Sequence, residues 1–333
     1  GTGSPTISKN TIKDNFAEGL VINAGLSPSI LNNTIINNAT NGLGLFVQPN
    51  SPPTLTITGN TLSGNGIFDF SIYAPSTNLS TYTVNAQRNY WGTTDPLAIT
   101  RKIHDNTKNP LTPVVDFSLF LSSPNGPPVG VTIVAGPVTG QTVWQKVKSP
   151  YFLIGDVDVR AGAQLTIEGG VTVLISPKQY RTLIVNGTLL ANGTAADPII
   201  FISNTQTPTR QDWRGIVFTP SAIPKSILNF MQVRYAFTGF EIDGTSPDIF
   251  NAVVEQNDNG LLIKSGSNAT IRQSTVQNNT YSAFIIDWAA PTISENSIMT
   301  LNQTSVDIKN GAVPVIQDSK IINNSGRAIN IQT

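Results

Sequence analysis

A short unit of about 22 residues recurs near both ends of the chain, and this repeat limits the fold more than any other feature. Residues 291–298 read PTISENSI, residues 314–321 read PVIQDSKI, and residues 5–12 read PTISKNTI. The first two copies begin 23 residues apart. A unit this small cannot cover its own apolar face and must stack on copies of itself, so the repeat predicts a solenoid.

The apolar residues of each unit fall in short clusters separated by Asn, Gly, Ser and Pro. Such clusters predict three short strands and three turns per unit, since none is long or periodic enough for a helix. Asn10, Asn33 and Asn60 recur at equivalent positions, 23 and 27 residues apart. We interpret them as structural residues at a bend, where Asn tolerates left-handed backbone and can bond to the Asn of the next unit.

Stacked units of this kind predict an all-β fold, a parallel β-helix with coils of about 22–23 residues. Each strand would pair in parallel with the equivalent strand of the next coil, about 4.8 Å along the axis. The side chains expected to point inward in stacked columns are Ile7, Ile12, Ile30, Ile35, Ile57 and Leu62.

The composition excludes several classes of partner. Charged residues make up only 12% of the 333 residues and the formal net charge is zero, so nothing favours binding to nucleic acid or to an anionic membrane. Cysteine is absent, so packing and hydrogen bonds must stabilise the fold. No run approaches the roughly 18 apolar residues of a transmembrane helix, and no basic-then-apolar leader opens the chain. An export signal would lie outside this sequence.

Two segments resemble a known family. Residues 88–96 (RNYWGTTDP) and 115–121 (VDFSLFL) resemble the segment that follows the last coil in right-handed parallel β-helix repeat proteins of the pectate-lyase-like superfold. The similarity is greatest to noncatalytic repeats of bacterial and archaeal surface proteins. It implies a cap over the open end of the solenoid, with Trp91 as a structural residue. Within this cap a short helix is predicted over Leu97–Ile103, with Asp95 as its cap and Pro96 in the first turn.

The second half of the chain resembles the opening of such a solenoid. Residues 161–173 (AGAQLTIEGGVTV) and 212–216 (DWRGI) are similar to the family's first coils, and Trp213 is taken as structural. The family's order of opening coils, regular coils and closing cap is therefore rotated in this chain. The predicted organisation is coils over 1–92, a closing cap over 93–121, a Pro/Gly linker over 122–130, opening coils over 131–245, and regular coils over 246–333 that continue in pattern into 1–92 of a following copy.

Three explanations of this order stay open. The chain is one period of a longer tandem protein, or it is genuinely rotated, or the coils of one copy finish on the next copy. All three predict compatible coil edges at the Thr333 and Gly1 ends, and an unpaired edge is a template for another chain. A head-to-tail contact that does not close gives a filament.

This pattern favours a noncatalytic structural protein at the cell surface or outside the cell, a unit of a filament, sheath, S-layer or adhesin. Its expected partners are further copies, head to tail or in tandem, and cell-surface polysaccharide. The alternative is a carbohydrate-active enzyme (lyase, hydrolase or epimerase) or a carbohydrate-binding module on the same fold.

The charged residues bear on the enzyme alternative. A lyase of this fold is expected to hold converging acidic calcium ligands beside an Arg or Lys base. The acids here are scattered, so we predict no catalytic residues and no cofactor, and no motif supports a structural calcium. The nearest groups are Arg210, Asp212 and Arg214 around the Trp213 motif, and Glu241 with Asp243. The latter two share one strand face and would bind a cation, form half of an acid pair, or simply be solvated.

Other functional residues are sparse. His104 is the only histidine and is expected in the cap, outside the coils. Tyr73, Tyr82, Tyr235 and Tyr281 are too far apart in register to form a sugar-binding aromatic row. Glycosylation motifs (Asn-x-Ser/Thr) occur at Asn32, Asn38, Asn78, Asn186, Asn192, Asn268, Asn278, Asn302 and Asn323.

Overall fold

The computed structural model of the protein describes residues 4–23, 27–47, 55–73, 79, 82–106, 108–109, 111–177, 180–205, 207–223 and 225–332. The chain forms two compact units, unit 1 with residues 1–133 and unit 2 with residues 134–333. Both are built from short parallel strands, with about 13 turns in all. The predicted all-β right-handed parallel β-helix is therefore confirmed.

Unit 1 contains fourteen described strands and one short helix. The strands are β1 (Thr6–Ser8), β2 (Thr11–Lys13), β3 (Leu20–Ile22), β4 (Ser29–Leu31), β5 (Thr34–Ile36), β6 (Leu43–Phe46), β7 (Thr56–Thr58), β8 (Thr61–Ser63), β9 (Phe70–Tyr73), β10 (Thr83–Asn85), β11 (Ile103–His104), β12 (Val114–Asp116), β13 (Leu119–Leu121) and β14 (Pro128–Gly130). The helix is α1 (Pro96–Arg101).

Unit 2 holds the longer solenoid, and its first strand begins at the boundary. Its first strands are β15 (Thr132–Val138), β16 (Gln141–Trp144), β17 (Tyr151–Val159), β18 (Gln164–Glu168), β19 (Thr172–Ile175), β20 (Thr182–Val185), β21 (Thr188–Asn192), β22 (Ile199–Ser203), β23 (Gly215–Phe218), β24 (Ile227–Asn229), β25 (Met231–Arg234) and β26 (Thr238–Asp243). The remaining strands are β27 (Asp248–Phe250), β28 (Val253–Glu255), β29 (Asn259–Lys264), β30 (Thr270–Arg272), β31 (Thr275–Gln277), β32 (Ser282–Asp287), β33 (Thr292–Ser294), β34 (Ile298–Thr300), β35 (Thr304–Lys309), β36 (Val315–Ile316), β37 (Lys320–Ile322) and β38 (Ile329–Ile331). A single 3₁₀ turn covers Lys146–Lys148.

The first three coils of unit 1 each give one strand to each of three parallel sheets. The sheet orders are β1-β4-β7, β2-β5-β8 and β3-β6-β9-β11. The predicted apolar columns form in register, Ile7 with Ile30 and Ile57, and Ile12 with Ile35 and Leu62. The four residues of the second and third coils are buried, whereas those of the first coil are half-buried.

Unit 2 repeats the same arrangement over more coils. One face of the solenoid is an eight-stranded sheet, β16-β18-β21-β24-β27-β30-β33-β36. The nine-residue strand β17 pairs with β19 through its first part and with β20 through its last part. It therefore joins the other two faces into one sheet, which runs from β37 through β17 to β38. The inward side chains form a continuous apolar core from Trp144 to Val306.

The closing segment of unit 1 differs from prediction at its helix. Helix α1 ends at Arg101 rather than at Ile103, because the Lys102 N–H bonds to the Ile99 carbonyl at 2.9 Å and Ile103 pairs with Phe70 of β9. The helix begins as expected, with the Asp95 carbonyl accepting the Ile99 N–H at 3.1 Å. Beyond it, Val115, Phe117 and Phe120 are buried in the unit 1 core.

The expected linker over 122–130 is also partly ordered as a strand. Strand β14 pairs antiparallel with β13, so residues 128–130 form one arm of a hairpin. The Ser122 N–H bonds to the Pro127 carbonyl at 3.0 Å, and Asn125 takes left-handed backbone with φ 61° in the turn. Proline is tolerated in β14 because an edge strand needs bonds on one side only.

Candidate functional site

Asparagine side chains bond successive coils of unit 1 in two ladders. In ladder A (Asn10, Asn33, Asn60, Asn89), each backbone N–H donates to the Oδ1 atom of the next member, at 2.9, 2.8 and 2.9 Å. The Nδ2 groups donate to the same oxygens. Asn33, Asn60 and Asn89 are buried, so the oxygens of Asn60 and Asn89 satisfy donors that water does not reach.

The left-handed backbone expected at these asparagines lies one residue earlier. Lys9, Asn32, Gly59 and Arg88 have φ values of 58°, 56°, 72° and 58°. The preceding residue makes the bend and thereby aims the ladder Asn along the solenoid axis. Lys and Arg adopt this backbone as well as Asn and Gly, so the bend itself does not require Asn.

Ladder B (Asn15, Asn38, Asn65, Asp69) occupies the second turn of the same coils. Its N–H to Oδ1 distances are 3.3, 3.1 and 3.2 Å. Asp69, four residues after Asn65 in the same coil, ends the ladder as an acceptor, and its side chain also accepts the Asn65 Nδ2 group at 2.8 Å. Burial raises the pKa of the Asp69 carboxyl, although the Asn65 bonds and the Lys102 charge act in the opposite direction.

Ladder C (Asn257, Asn279, Asn302, Asn324) serves the regular coils of unit 2. Each of its three N–H to Oδ1 distances is 3.0 Å. The Asn257 oxygen accepts the Ala236 N–H at 2.8 Å. As between Asn15, Asn38 and Asn65 of ladder B, each N–H donor belongs to the earlier coil and each acceptor to the later one.

A polar cluster in unit 1 joins three coils and was not identified from the sequence. The Tyr73 hydroxyl donates to the Glu18 carboxylate, and Asn41 Nδ2 lies 2.8 Å from Glu18 Oε1 and 2.6 Å from the Tyr73 hydroxyl. Burial raises the pKa of Tyr73, and the Glu18 carboxylate raises it further. The signal that could have found the cluster is the 23-residue spacing of Glu18 and Asn41.

The structure separates Arg210, Asp212 and Arg214. Asp212 is buried and accepts bonds from Ser203 Oγ at 2.6 Å and from Thr209 Oγ1 at 2.8 Å, so it holds the loop before Trp213. Arg210 reaches the Asn278 carbonyl at 2.9 Å, and Arg214 pairs with Glu241 at 2.9 Å. The three charges thus serve different contacts.

Glu241 and Asp243 lie on one face and meet a cation in the next coil. Lys264 contacts Glu241 at 2.9 Å and Asp243 at 3.4 Å. Burial acts to raise the pKa of Glu241, but the bonds from Lys264 and Arg214 outweigh it, and the pKa lies below its usual value. A carboxylate held ionised by two cations is a structural ion pair and a poor general acid.

His104 and the two structural tryptophans lie within the packed solenoid. His104 ends β11, which pairs with β9, so it belongs to a coil face and not to a separate cap. Its ring lies 5.2 Å from that of Phe68. Trp91 is buried with its ring edge toward Phe117 at 6.3 Å. Trp213 is fully buried, stacks 6.1 Å from Phe201 and donates from Nε1 to the Arg234 carbonyl at 2.8 Å.

The glycosylation motifs differ sharply in exposure. Asn38 and Asn302 are buried members of ladders B and C, so their amide nitrogens are not accessible in the folded chain. Asn186 is half-buried, and Asn78 lies outside the described residues. The motifs whose Asn side chain is exposed are Asn32, Asn192, Asn268, Asn278 and Asn323, and these stay predictions.

Two surface features could contact a ligand. Strand β7 ends its sheet, and β10 pairs with β12 in a separate sheet. A cleft of about 300 Å³ at this point is lined by Leu55, Thr56, Ile57, Thr58, Asn85, Gln87 and Arg88. In unit 2, Phe237 and Tyr281 are 44% and 50% exposed at equivalent turn positions two coils apart. Asp258 lies in the coil between them and accepts the Thr280 hydroxyl at 3.2 Å.

Within the described ranges, no group of three or more His, Asp or Glu side chains is arranged to hold a metal ion. Neither does this part of the chain contain a helix long and apolar enough to span a membrane.

Family comparison agrees with the coil geometry. Residues 1–86 and 224–333 match the right-handed β-helix region family, and residues 136–229 match the pectate-lyase-like β-helix domain. The chain therefore belongs to the right-handed β-helix family. Protein bark beetle of Drosophila melanogaster is similar to this chain, with 36% identity over 72 residues, which is 22% of this chain and 2% of that protein. The chain thus spans a very small part of this relative's length, and no solved structure matches it significantly.

Proposed function

We propose that the protein is a noncatalytic structural unit of an extracellular or cell-surface assembly, in which copies stack end to end through their outermost coils. One observation carries this proposal. The first coil of unit 1 (β1–β3) and the last coil of unit 2 (β36–β38) each leave three strands with an edge that no described strand covers. An uncovered edge with apolar residues beside it is a template for further strands.

The use of the polar side chains supports a structural role. The ladder asparagines, Asp69 and Asp212 accept or donate bonds that hold coils and loops together. Glu241, the acid most favourably placed on an outer face, is neutralised by Lys264 and Arg214. These groups stabilise the stack itself and would have to be displaced before they could act on a substrate.

Electron microscopy of the purified chain at rising concentration tests the proposal. We expect particles that lengthen end to end as the concentration rises. Particles that stay monomeric across the series would contradict the assembly. A parallel screen for lyase and hydrolase activity on acidic and neutral polysaccharides is expected to show no turnover above buffer, and turnover would contradict the noncatalytic role.

A second candidate function, carbohydrate binding, is favoured by the exposed rings of Phe237 and Tyr281. They lie roughly 10 Å apart along the solenoid, because each coil rises by about 4.8 Å, so one extended saccharide can contact both rings. Exposed aromatic faces are typical of sugar sites, whereas the Asp258 carboxylate between these rings is buried and bonded to Thr280 and Gln211. Glycan binding that is lost in Tyr281→Ala but kept in Trp288→Ala, a matched exposed aromatic, would support this function.

A further inference from the structure

The first coil of unit 1 (β1–β3) and the last coil of unit 2 (β36–β38) are the two open coils, and their strands have the same spacing along the sequence. Strands β36, β37 and β38 begin at residues 315, 320 and 329, at intervals of 5 and 9 residues. Strands β1, β2 and β3 begin at residues 6, 11 and 20, at the same two intervals. A constant offset of 309 residues therefore places every strand of the last coil on its counterpart in the first.

The turns of the two coils match at the same offset. Asp318 and Asn323 have left-handed backbone with φ values of 47° and 54°. Their counterparts Lys9 and Asp14 both have φ values of 58°. Left-handed residues at equivalent bends are what each solenoid uses between its own coils, so the last coil has the shape of a coil that precedes β1–β3.

We infer that the last coil of one copy stacks on the first coil of a second copy in this single register, with Val315 beside Thr6, Lys320 beside Thr11 and Ile329 beside Leu20. The inference rests on the proposed end-to-end assembly and specifies its contact. The contact is the same whether the two copies are separate chains or successive parts of one longer chain.

The register continues an asparagine ladder across the contact. Asn324 ends ladder C, and Asn15 begins ladder B. At an offset of 309 residues these two are counterparts. In both ladders the N–H of the earlier coil donates to the Oδ1 atom of the later coil. The Asn324 N–H therefore donates to Asn15 Oδ1 of the next copy, as the Asn302 N–H does to Asn324 Oδ1 at 3.0 Å.

The apolar columns continue as well. Ile329 and Ile331 of the last coil are 45% and 73% exposed, and they meet Leu20 and Ile22 of the first coil. The inward columns of β36 and β37 likewise bring Ile316 over Ile7 and Ile321 over Ile12 of the second copy. Stacking would bury this surface, the main favourable term in such a contact.

Two pairs of opposite charges face each other in this register. Asp318 is the counterpart of Lys9, and Arg327 is the counterpart of Glu18. A register shifted by one residue separates both pairs and turns each strand's inward side chains outward. The charges therefore favour the proposed partner, a second copy in this register, over shifted alternatives.

Disulfide capture tests the register. Because the chain contains no cysteine, only the introduced cysteines can form disulfides. In the register, Asn330 lies beside Val21 on the outward side of neighbouring strands. The variant Val21→Cys/Asn330→Cys should oxidise to a ladder of covalent dimers and higher oligomers, since paired parallel strands bring Cα atoms within about 5 Å. In the control Val21→Cys/Gln332→Cys the two cysteines are two residues out of register, which places their Cα atoms about 8 Å apart. This control should form at least tenfold fewer disulfide-linked oligomers than the first variant.

The outcomes separate the register from the assembly. Stronger linkage in the control, or disulfides formed only within one chain, would overturn the register. Oligomers of the unmodified chain without linkage in the first variant would also overturn it, while leaving end-to-end assembly standing. A chain that stays monomeric at every concentration would overturn both.

Charge exchange gives a second test with a built-in control. Asp318→Lys and Lys9→Asp each place like charges at the contact, and each should weaken self-association about two- to fivefold, as expected for an exposed pair. The double variant should restore it. Additive losses in the double variant would contradict the pairing of these two residues.

Discussion

At the scale of single residues, the ladder asparagines combine an acceptor for the coil behind with donors for the coil ahead. Asn60 Oδ1 accepts the Asn33 N–H of the coil behind at 2.8 Å, and its Nδ2 group donates to Asn89 Oδ1 of the coil ahead at 2.9 Å. The same Nδ2 group also donates to the Ile30 carbonyl at 2.8 Å. Asp69 stands at the end of its ladder, where only an acceptor is needed. An ionised carboxylate has no N–H group that could donate to a further ladder residue.

Truncation of a ladder residue should therefore be costly. Asn60→Ala leaves the buried Asn33 N–H and Ile30 carbonyl without their partners, at about 1–3 kcal/mol for each unsatisfied group. We expect the free energy of unfolding, measured by urea titration, to fall by at least about 2 kcal/mol. The control Asn268→Ala, at an exposed Asn, should change it by less than about 0.5 kcal/mol.

The free energy of unfolding should depend on pH through Asp69. Burial raises its folded pKa above the ordinary aspartate value of 3.8, so its contribution to stability is present below that pH and is lost as the pH rises through the folded pKa. Asp69→Asn keeps the acceptor oxygen and removes this titration. The stability of Asp69→Asn relative to the unmodified chain should therefore increase between pH 3.5 and pH 7, and a difference that is constant or shrinks over this range would contradict the explanation.

At the scale of elements, the coil is the unit of construction, and much of it could be predicted from the sequence. The columns of Ile30, Ile35 and Ile57 follow from spacing alone, because a parallel stack forces equivalent residues together. The hairpin of β13 and β14 was missed because its apolar and turn residues lie in a proline-rich stretch that reads as a linker. The cluster of Glu18, Asn41 and Tyr73 was missed because the residue spacing between its members is unequal, 23 from Glu18 to Asn41 and 32 from Asn41 to Tyr73. The long side chains of Glu18 and Tyr73 meet although the two residues do not hold equivalent positions in their coils.

Removal of one whole coil tests the modular account. Deletion of residues 270–291 joins Ala269 to Thr292, which is the register partner of Thr270. The remaining strands can then pair as before, and we expect a soluble β-rich protein with a urea m value reduced by roughly a tenth. Deletion of residues 270–280, half a coil, places turns over strands and should give insoluble protein. Equal behaviour of the two variants would contradict the coil as the unit of construction.

At the scale of the whole molecule, the central claim is that open coils of two copies cover each other. The edges, the turn conformations, the ladder ends and the charges of the two coils agree at one offset of 309 residues. Compatible edges and the charge pairs follow from the sequence spacing, whereas the turn conformations and the ladder ends do not, since the sequence does not show which polar atoms are already used within the chain.

Sedimentation equilibrium of three proteins tests this claim most directly. The unmodified chain should show a weight-average mass that rises with concentration. Ile331→Lys places a charge in the open apolar column at a residue that is 73% exposed, so it should leave the fold intact and hold the chain as a monomer. Val147→Lys, at a residue 88% exposed that belongs to neither open coil, should associate like the unmodified chain. Association of Ile331→Lys equal to that of Val147→Lys, or a monomeric unmodified chain, would contradict the account.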